Sequence, residues 1–216
     1  MRNLYQEQLW NLNQELIQMG AACEEIIDLA AKALTNYSDQ LEEKTNQVGA
    51  VIDESERTIE NICLKLLLRQ QPVAGDLRQI SAAMKMITDM ERIGDQAEDI
   101  VDLIPKMERG AEEKYTQIQE MAKAAQYMVT EAVNAYVKQD LGLAKVVMNY
   151  DDVVDNYFNQ IKHDILGIIA ANPNEGEYVL DLLMIAKYFE RIGDHAVNIA
   201  KWVLFSITGR HEEVPN

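Results

Sequence analysis

Cysteine, proline and long apolar runs are the scarce features of this chain. Its 216 residues include two cysteines and four prolines. Cys23 and Cys63 have no C-x-x-C spacing, which excludes metal fingers and disulfide scaffolds and fits a reducing compartment. The longest apolar run, residues 165–171, is far short of the ~18 residues that a membrane span needs. The opening Met-Arg-Asn-Leu-Tyr-Gln-Glu interleaves charges with apolar residues and lacks the apolar core of a signal peptide. The expectation is a cytoplasmic, soluble protein without direct membrane insertion. Twenty bases against 36 acids leave a formal charge of −16, so the surface repels phosphodiester backbones and no nucleic-acid partner is expected. The chain has no Gly-rich phosphate loop, no Gly-x-Ser-x-Gly, no dinucleotide fingerprint and no Cys–His pair at a recognisable spacing, which argues against an enzyme.

Strong helix formers dominate the composition, and helix propensity is high nearly everywhere. The expected class is all-α. Apolar residues at Leu4, Leu9, Leu12, Leu16, Met19, Cys23, Ile26, Ile27 and Ala30 predict one amphipathic helix over 4–37. Asp39 followed by Glu42 reads as a capping box that opens a second helix, ended by Pro72. A third runs from Leu77 to about Pro105, a fourth over 111–138, and a fifth from an Asp140 cap to Ala171. Asn172, Pro173 and Glu175 then open a sixth that reaches about Ile207.

The most informative feature is an internal repeat. Residues 91–100 read Glu-Arg-Ile-Gly-Asp-Gln-Ala-Glu-Asp-Ile, and residues 190–199 read Glu-Arg-Ile-Gly-Asp-His-Ala-Val-Asn-Ile, so seven of ten positions match at an offset of 99. The preceding helices align at an offset of 102, with Val51-Ile52-Asp53 against Val153-Val154-Asp155. Two tandem three-helix bundles are implied, 1–108 and 109–216, six long helices in all, with antiparallel neighbours because the loops are short. Gly94 and Gly193 recur inside the repeat at about 1 kcal/mol each in helix propensity, which suggests close approach of another helix.

Glu91, Asp95 and Asp99 form a carboxylate column at i, i+4 and i+8, and Glu190, Asp194 and Asn198 form its counterpart. The second helix of each unit can add Asp53, Glu56 and Glu60 in the first half, and Asp151, Asp152 and Asp155 in the second. Oxygen-only columns suit hard cations such as Fe3+, Mn2+, Mg2+ or Ca2+. Each column also reads as a solvated acidic face, with Arg92 and Arg191 bridging to Asp89, Asp95 and Asp194. None of the three histidines falls in a Glu-x-x-His pattern, and His195 points about 100° around the helix from Asp194, toward a surface or partner role. Trp10, Trp202 and Phe205 lie at apolar positions that suit either core or interface. A regulatory adaptor, a carboxylate-bridged metalloenzyme and a purely structural scaffold all remain open on these residues.

The repeated Glu-Arg-Ile-Gly-Asp, with Arg69-Gln-Gln-Pro-Val-Ala-Gly-Asp-Leu-Arg78 before its first copy, closely resembles the PhoU family over essentially the whole chain. The resemblance implies two PhoU repeats and a negative regulator of the phosphate-starvation response, accessory to phosphate transport and without covalent chemistry of its own. It implies multinuclear metal clusters, iron foremost, with zinc, manganese or magnesium as alternatives. It also implies the ATPase subunit of a phosphate ABC transporter and a phosphate-sensing histidine kinase as partners, and a homodimer. Carried over by position, Glu91 with Asp95 and Glu190 with Asp194 match the family's metal motif, and Asp53 and Asp155 match its second-helix aspartate. The acid four residues before that aspartate is present as Asp151 but is Gly49 in the first half, and Asn198 replaces the acid found at Asp99, so the two sites are expected to differ.

Overall fold

The computed structural model describes residues 2–69, 73–107 and 115–210. Among the described residues there are six long helices and no strand: α1 (Arg2–Asn36), α2 (Asp39–Arg69), α3 (Ala74–Leu103), α4 (Tyr115–Lys138), α5 (Leu141–Ala171) and α6 (Gly176–Thr208). The expected stop at Pro72, the expected start of α4 at Ala111 and the boundary between residues 108 and 109 lie outside the described residues.

The helix ends follow local chemistry. Asp140 Oδ1 accepts from the Leu143 amide at 3.0 Å and starts α5 as its N-cap. At α2 the cap sits one residue earlier than expected: Ser38 Oγ accepts from the Leu41 amide at 3.2 Å, while the Glu42 carboxylate takes the Tyr37 hydroxyl. Asn172 likewise caps a 3-10 turn at Pro173–Glu175, and α6 begins only at Gly176. α3 ends at Leu103 and passes into a second 3-10 turn, Ile104–Lys106. Gly209 closes α6 with φ at 71°, the left-handed conformation that glycine adopts without steric cost.

Burial separates inner from outer helices. α6 buries fourteen residues and α3 eleven, but α5 only five, so α3 and α6 are central and α5 is a flank. α1 packs on α2, α3 and α4, and α6 packs on α3, α4 and α5. The inner layer is therefore α1, α3, α4 and α6, with α2 lying on α1 and α3 and α5 lying on α4 and α6. Small residues permit the crowding at the centre: Ala82, Ala83, Ala97, Ala125, Ala132, Ala186, Ala196 and Ala200 are wholly buried. Around them Leu12, Leu16, Met19, Ile26, Met86, Met90, Phe189 and Ile192 fill one continuous core shared by both repeats, each large side chain contributing about 1.5–3 kcal/mol of burial.

The motif glycines sit where the flanking helices come closest. A Cβ on Gly94 would lie 3.2 Å from Ile52 Cδ1 of α2, and one on Gly193 would lie 3.3 Å from Val154 Cγ1 of α5. These are equivalent pairs in the two repeats, so the glycine draws each flank onto its motif helix. Of the aromatics near the chain ends, Trp202 packs on the core and meets Phe205 edge-on at 5.9 Å, whereas Trp10 is exposed.

Candidate functional site

The close glycine contacts bring two acidic faces together in each repeat, α2 with α3 and α5 with α6. In the first groove Asp53 and Glu56 of α2 oppose Glu91, Asp95 and Glu98 of α3. Burial and then Asp95 raise the Glu91 carboxyl, with Glu56 and Asp53 adding to the shift across the groove. Glu56 is raised by burial, Glu60 and Asp53. Glu98 is pushed up to about 7, by burial first and then by Asp53, Asp95, Asp102 and Asp99. Arg92 is the counter-charge: its Nη1 lies 2.9 Å from Asp95 Oδ2 and its Nε 3.4 Å from Glu91 Oε2. The Arg92 side chain is 56% exposed, so this is a surface pair worth at most about 1 kcal/mol and easily released.

The second groove repeats the arrangement with different occupants. Asp151 and Asp155 of α5 oppose Glu190 and Asp194 of α6. Asp151 is raised to about 6 by burial, then by Asp155, Asp194, Glu190 and Asp152. Burial and the facing acids also raise Asp155 and Asp194, and Lys187 pulls both partly back. Lys187 pairs with Glu190, and its ammonium stands 5.5 Å from the centre of the Phe158 ring. Phe158 takes the position that Glu56 holds in the first repeat. The first groove thus carries more acids beside an exposed arginine, and the second carries fewer beside a less exposed lysine.

The predicted residues do not all meet. Asp53, Glu56, Glu91 and Asp95 share the first groove, and Asp151, Asp155, Glu190 and Asp194 share the second. Glu60 and Asp152 are exposed and act on the grooves as neighbouring charges. Asp99 is influenced by Asp95 and Asp102 of its own helix and by Arg191 of α6, which places it toward the seam between repeats. The structure likewise turns Asn198 to that seam, where its Nδ2 donates to Asp89 Oδ1 at 3.3 Å. His195 joins it, with Nδ1 2.9 Å from Asp89 Oδ1, so His195 and Asp89 link the repeats, and the proposed Arg92–Asp89 bridge is replaced by this contact. The reason is azimuth: eight residues advance about 80° around a helix, enough to carry Asp99 and Asn198 out of their columns.

The sequence reading missed Glu98. At i+7 from Glu91 it lies within about 20° of that residue's azimuth, much nearer than Asp99. A seven-residue step was the signal that would have found it.

Among the described residues no three histidine, cysteine, aspartate or glutamate side chains are already gathered tightly enough to hold one ion. The donor chemistry nevertheless fits a hard cation. Every groove donor is a carboxylate oxygen, and the thiols Cys23 and Cys63 are buried in the core.

The PhoU domain model matches residues 16–104 and again 118–203, one match for each repeat. The chain belongs to the PhoU family. Relatives of this PhoU chain include the phosphate-specific transport system accessory protein PhoU homolog of Clostridium acetobutylicum, 31% identical with 99% of this chain and 98% of that protein covered. The protein of the same name from Pseudomonas aeruginosa is 31% identical over 95% of this chain and 86% of its own length. The crystal structure of PhoU from Pseudomonas aeruginosa superposes with a TM-score of 0.86 at 30% identity, covering 95% of this chain and all of that one. The PhoU structure from Streptococcus pneumoniae, at 23% identity and a TM-score of 0.88, shares the fold. No helix among the described residues is long and apolar enough to cross a membrane.

Proposed function

We propose that the protein is a cytoplasmic regulator of phosphate uptake and of the phosphate-starvation response, acting by docking and not by covalent chemistry. Its partners in this reading are the ATPase subunit of a phosphate ABC transporter and a phosphate-sensing histidine kinase, and it works as a homodimer. The observation that carries the reading is the near end-to-end match to proteins named as accessory to phosphate-specific transport, at 31% identity over 99% of this chain in the first case.

Within it, the paired grooves are cation sites, iron foremost. Asp53, Glu91 and Asp95 hold the ion in the first repeat, and Asp151, Asp155, Glu190 and Asp194 hold it in the second. A bound hard cation supplies the positive charge that the crowded carboxylates lack. The raised carboxyls support this, because burial and then the facing acids lift them, and Arg92 and Lys187 offset the like charges across each groove only in part.

The test replaces the chromosomal copy with Glu91→Ala/Asp95→Ala and separately with Glu190→Ala/Asp194→Ala. Phosphate-dependent repression of a starvation reporter and the metal content of the purified protein are then measured. Loss of metal together with derepression is expected. Unchanged metal and unchanged repression in both variants would overturn the site assignment, and turnover of a phosphoester by the purified metal-loaded protein would favour an enzyme instead.

A further inference from the structure

A cleft of about 200 Å3 opens between α1 and α4 and shares no residue with either acidic groove. Ile27, Ala31 and Ala122 form its floor, and Lys32 of α1 and Lys123 of α4 stand at its rim. Each lysine is held by an acid of its own helix: Lys32 Nζ lies 2.5 Å from Asp28 Oδ2, and Lys123 Nζ lies 2.7 Å from Glu120 Oε1. The lysine side chains are 60% and 69% exposed, so these are weak surface pairs that an incoming anion can share.

The duplication supplies an internal comparison. α1 and α4 align at an offset of 102, which matches Leu16, Met19 and Ile26 with Ile118, Met121 and Met128, all buried. Because these two helices pack on each other, the residues corresponding to the cleft meet on a second stretch of the same pair. There Gly20 faces Val133, whose Cγ1 lies 3.2 Å from where a Cβ on the glycine would stand, and the space is filled. At the cleft the corresponding pair is Ala122 and Ala31, and the space is open. The rim changes with it: Lys123, Lys32 and Gln119 stand where the filled stretch has Ala21, Asn134 and Ile17. Both ammonium groups therefore occur only in the copy that has room for a ligand, a coincidence that two decorative surface lysines do not explain.

We propose that the α1–α4 cleft binds a small protonated oxyanion of the phosphate class. Lys32 and Lys123 supply the charge from facing helices, as point charges suited to a tetrahedral anion. Gln119, whose side chain makes no hydrogen bond among the described residues, offers an amide donor. Asp28 Oδ2 takes Lys32, which leaves Oδ1 as an acceptor inside a cationic rim. Hydrogen phosphate can donate its proton to that oxygen, whereas sulfate carries none at neutral pH and is repelled there. The lining has no aromatic ring to stack a base and the volume is below that of a nucleotide pocket, which restricts the ligand to a small anion. The inference is independent of the cation reading of the grooves.

The experiment uses the full-length protein, stripped with chelator so that no metal can recruit the anion, and titrated with inorganic phosphate by isothermal titration calorimetry at low ionic strength. Saturable uptake is expected, with sulfate binding more weakly. Lys32→Asn and Lys123→Ala, each borrowed from the filled stretch, are expected to lower the affinity roughly tenfold or more apiece. Ala31→Val, which supplies the counterpart of Val133, is expected to abolish uptake, and Asp28→Asn to erase the preference over sulfate. Lys162→Ala, on α5, is expected to bind like the parent. No saturable uptake by the parent overturns the proposal, as does parent-like affinity in both lysine variants or in an Ala31→Val protein whose circular dichroism matches the parent. Equal weakening by Lys162→Ala would reduce the effect to net charge and overturn it as well. Equal affinity of the parent for sulfate overturns the role given to Asp28.

Discussion

Asp89 on α3 and His195 on α6 meet at 2.9 Å across the seam between the two repeats. Asn198 donates to the same carboxylate oxygen, so one acid ties the first motif helix to two side chains of the second. From Asp89 to Asp99 along α3 the facing residues of α6 fall from His195 and Asn198 to Arg191, so the two central helices run antiparallel.

Removing this acid is expected to loosen the junction. Asp89→Ala leaves both donors without their acceptor in a partly buried seam, and urea unfolding should show a loss of about 1–2 kcal/mol. The circular dichroism spectrum should be unchanged, because the helices themselves do not depend on the contact.

The motif glycine is held by sterics, and a larger side chain should test that directly. Gly94→Val would press on Ile52, whose Cδ1 lies 3.2 Å from the first added carbon and which is itself buried. Overpacking of this kind costs about 1–3 kcal/mol, more than valine regains over glycine in helix propensity, and the midpoint of chemical unfolding should fall accordingly.

Acid should stabilise the metal-free protein over a defined range. Glu98 is held at about 7 against 4.5 for a free glutamate, and Asp151 at about 6 against 3.8 for a free aspartate. Below the lower values both folded and unfolded chains are protonated at these groups, and nothing is lost. As pH rises the unfolded chain releases protons that the native state retains, so stability declines until the native groups also ionise, near 7. The melting temperature of chelator-treated protein is therefore expected to be higher at pH 5.5 than at pH 8. Glu98→Gln should narrow that difference by raising the value at pH 8.

Lys187 is the second groove's own counter-charge. Lys187→Met removes the ammonium from beside Glu190 and from the Phe158 ring, so the four facing acids lose that counter-charge. A loss of about 0.5–1 kcal/mol is expected at neutral pH, the ordinary range for a partly exposed pair. Added Mn2+ should then raise the melting temperature more in this variant than in the parent, which differential scanning fluorimetry can read.

Much of the molecule was legible before any coordinates. Six helices, their order and the duplication follow from three- and four-residue apolar steps and from a ten-residue string that occurs twice, because a helix places such residues on one face whatever it packs against. The motif glycines announced a close approach for the same reason. Boundaries were less secure where two capping groups compete: Ser38 takes the end of α2 from Asp39, and a proline turn delays α6 by a few residues.

The site was only partly visible. Glu91, Asp95, Glu190 and Asp194 stand out by repetition, but helical spacing cannot say which neighbouring helix a side chain faces. Asp99 and Asn198 shared the motif register and still went to the seam, while Glu98, absent from the second copy, went into the groove.

What this chain's amino-acid order determined alone is local: helix propensity, amphipathic stripes and duplicated acids, each set by residues within a few turns of one another. Which carboxylates face each other, that Glu98 fills the space above Gly49, and that Asp89 joins the repeats were decided by how six helices share one core. Those are contacts between residues up to about a hundred positions apart, and the packing of α3 between α2 and α6 assigns them through geometry that no periodicity contains.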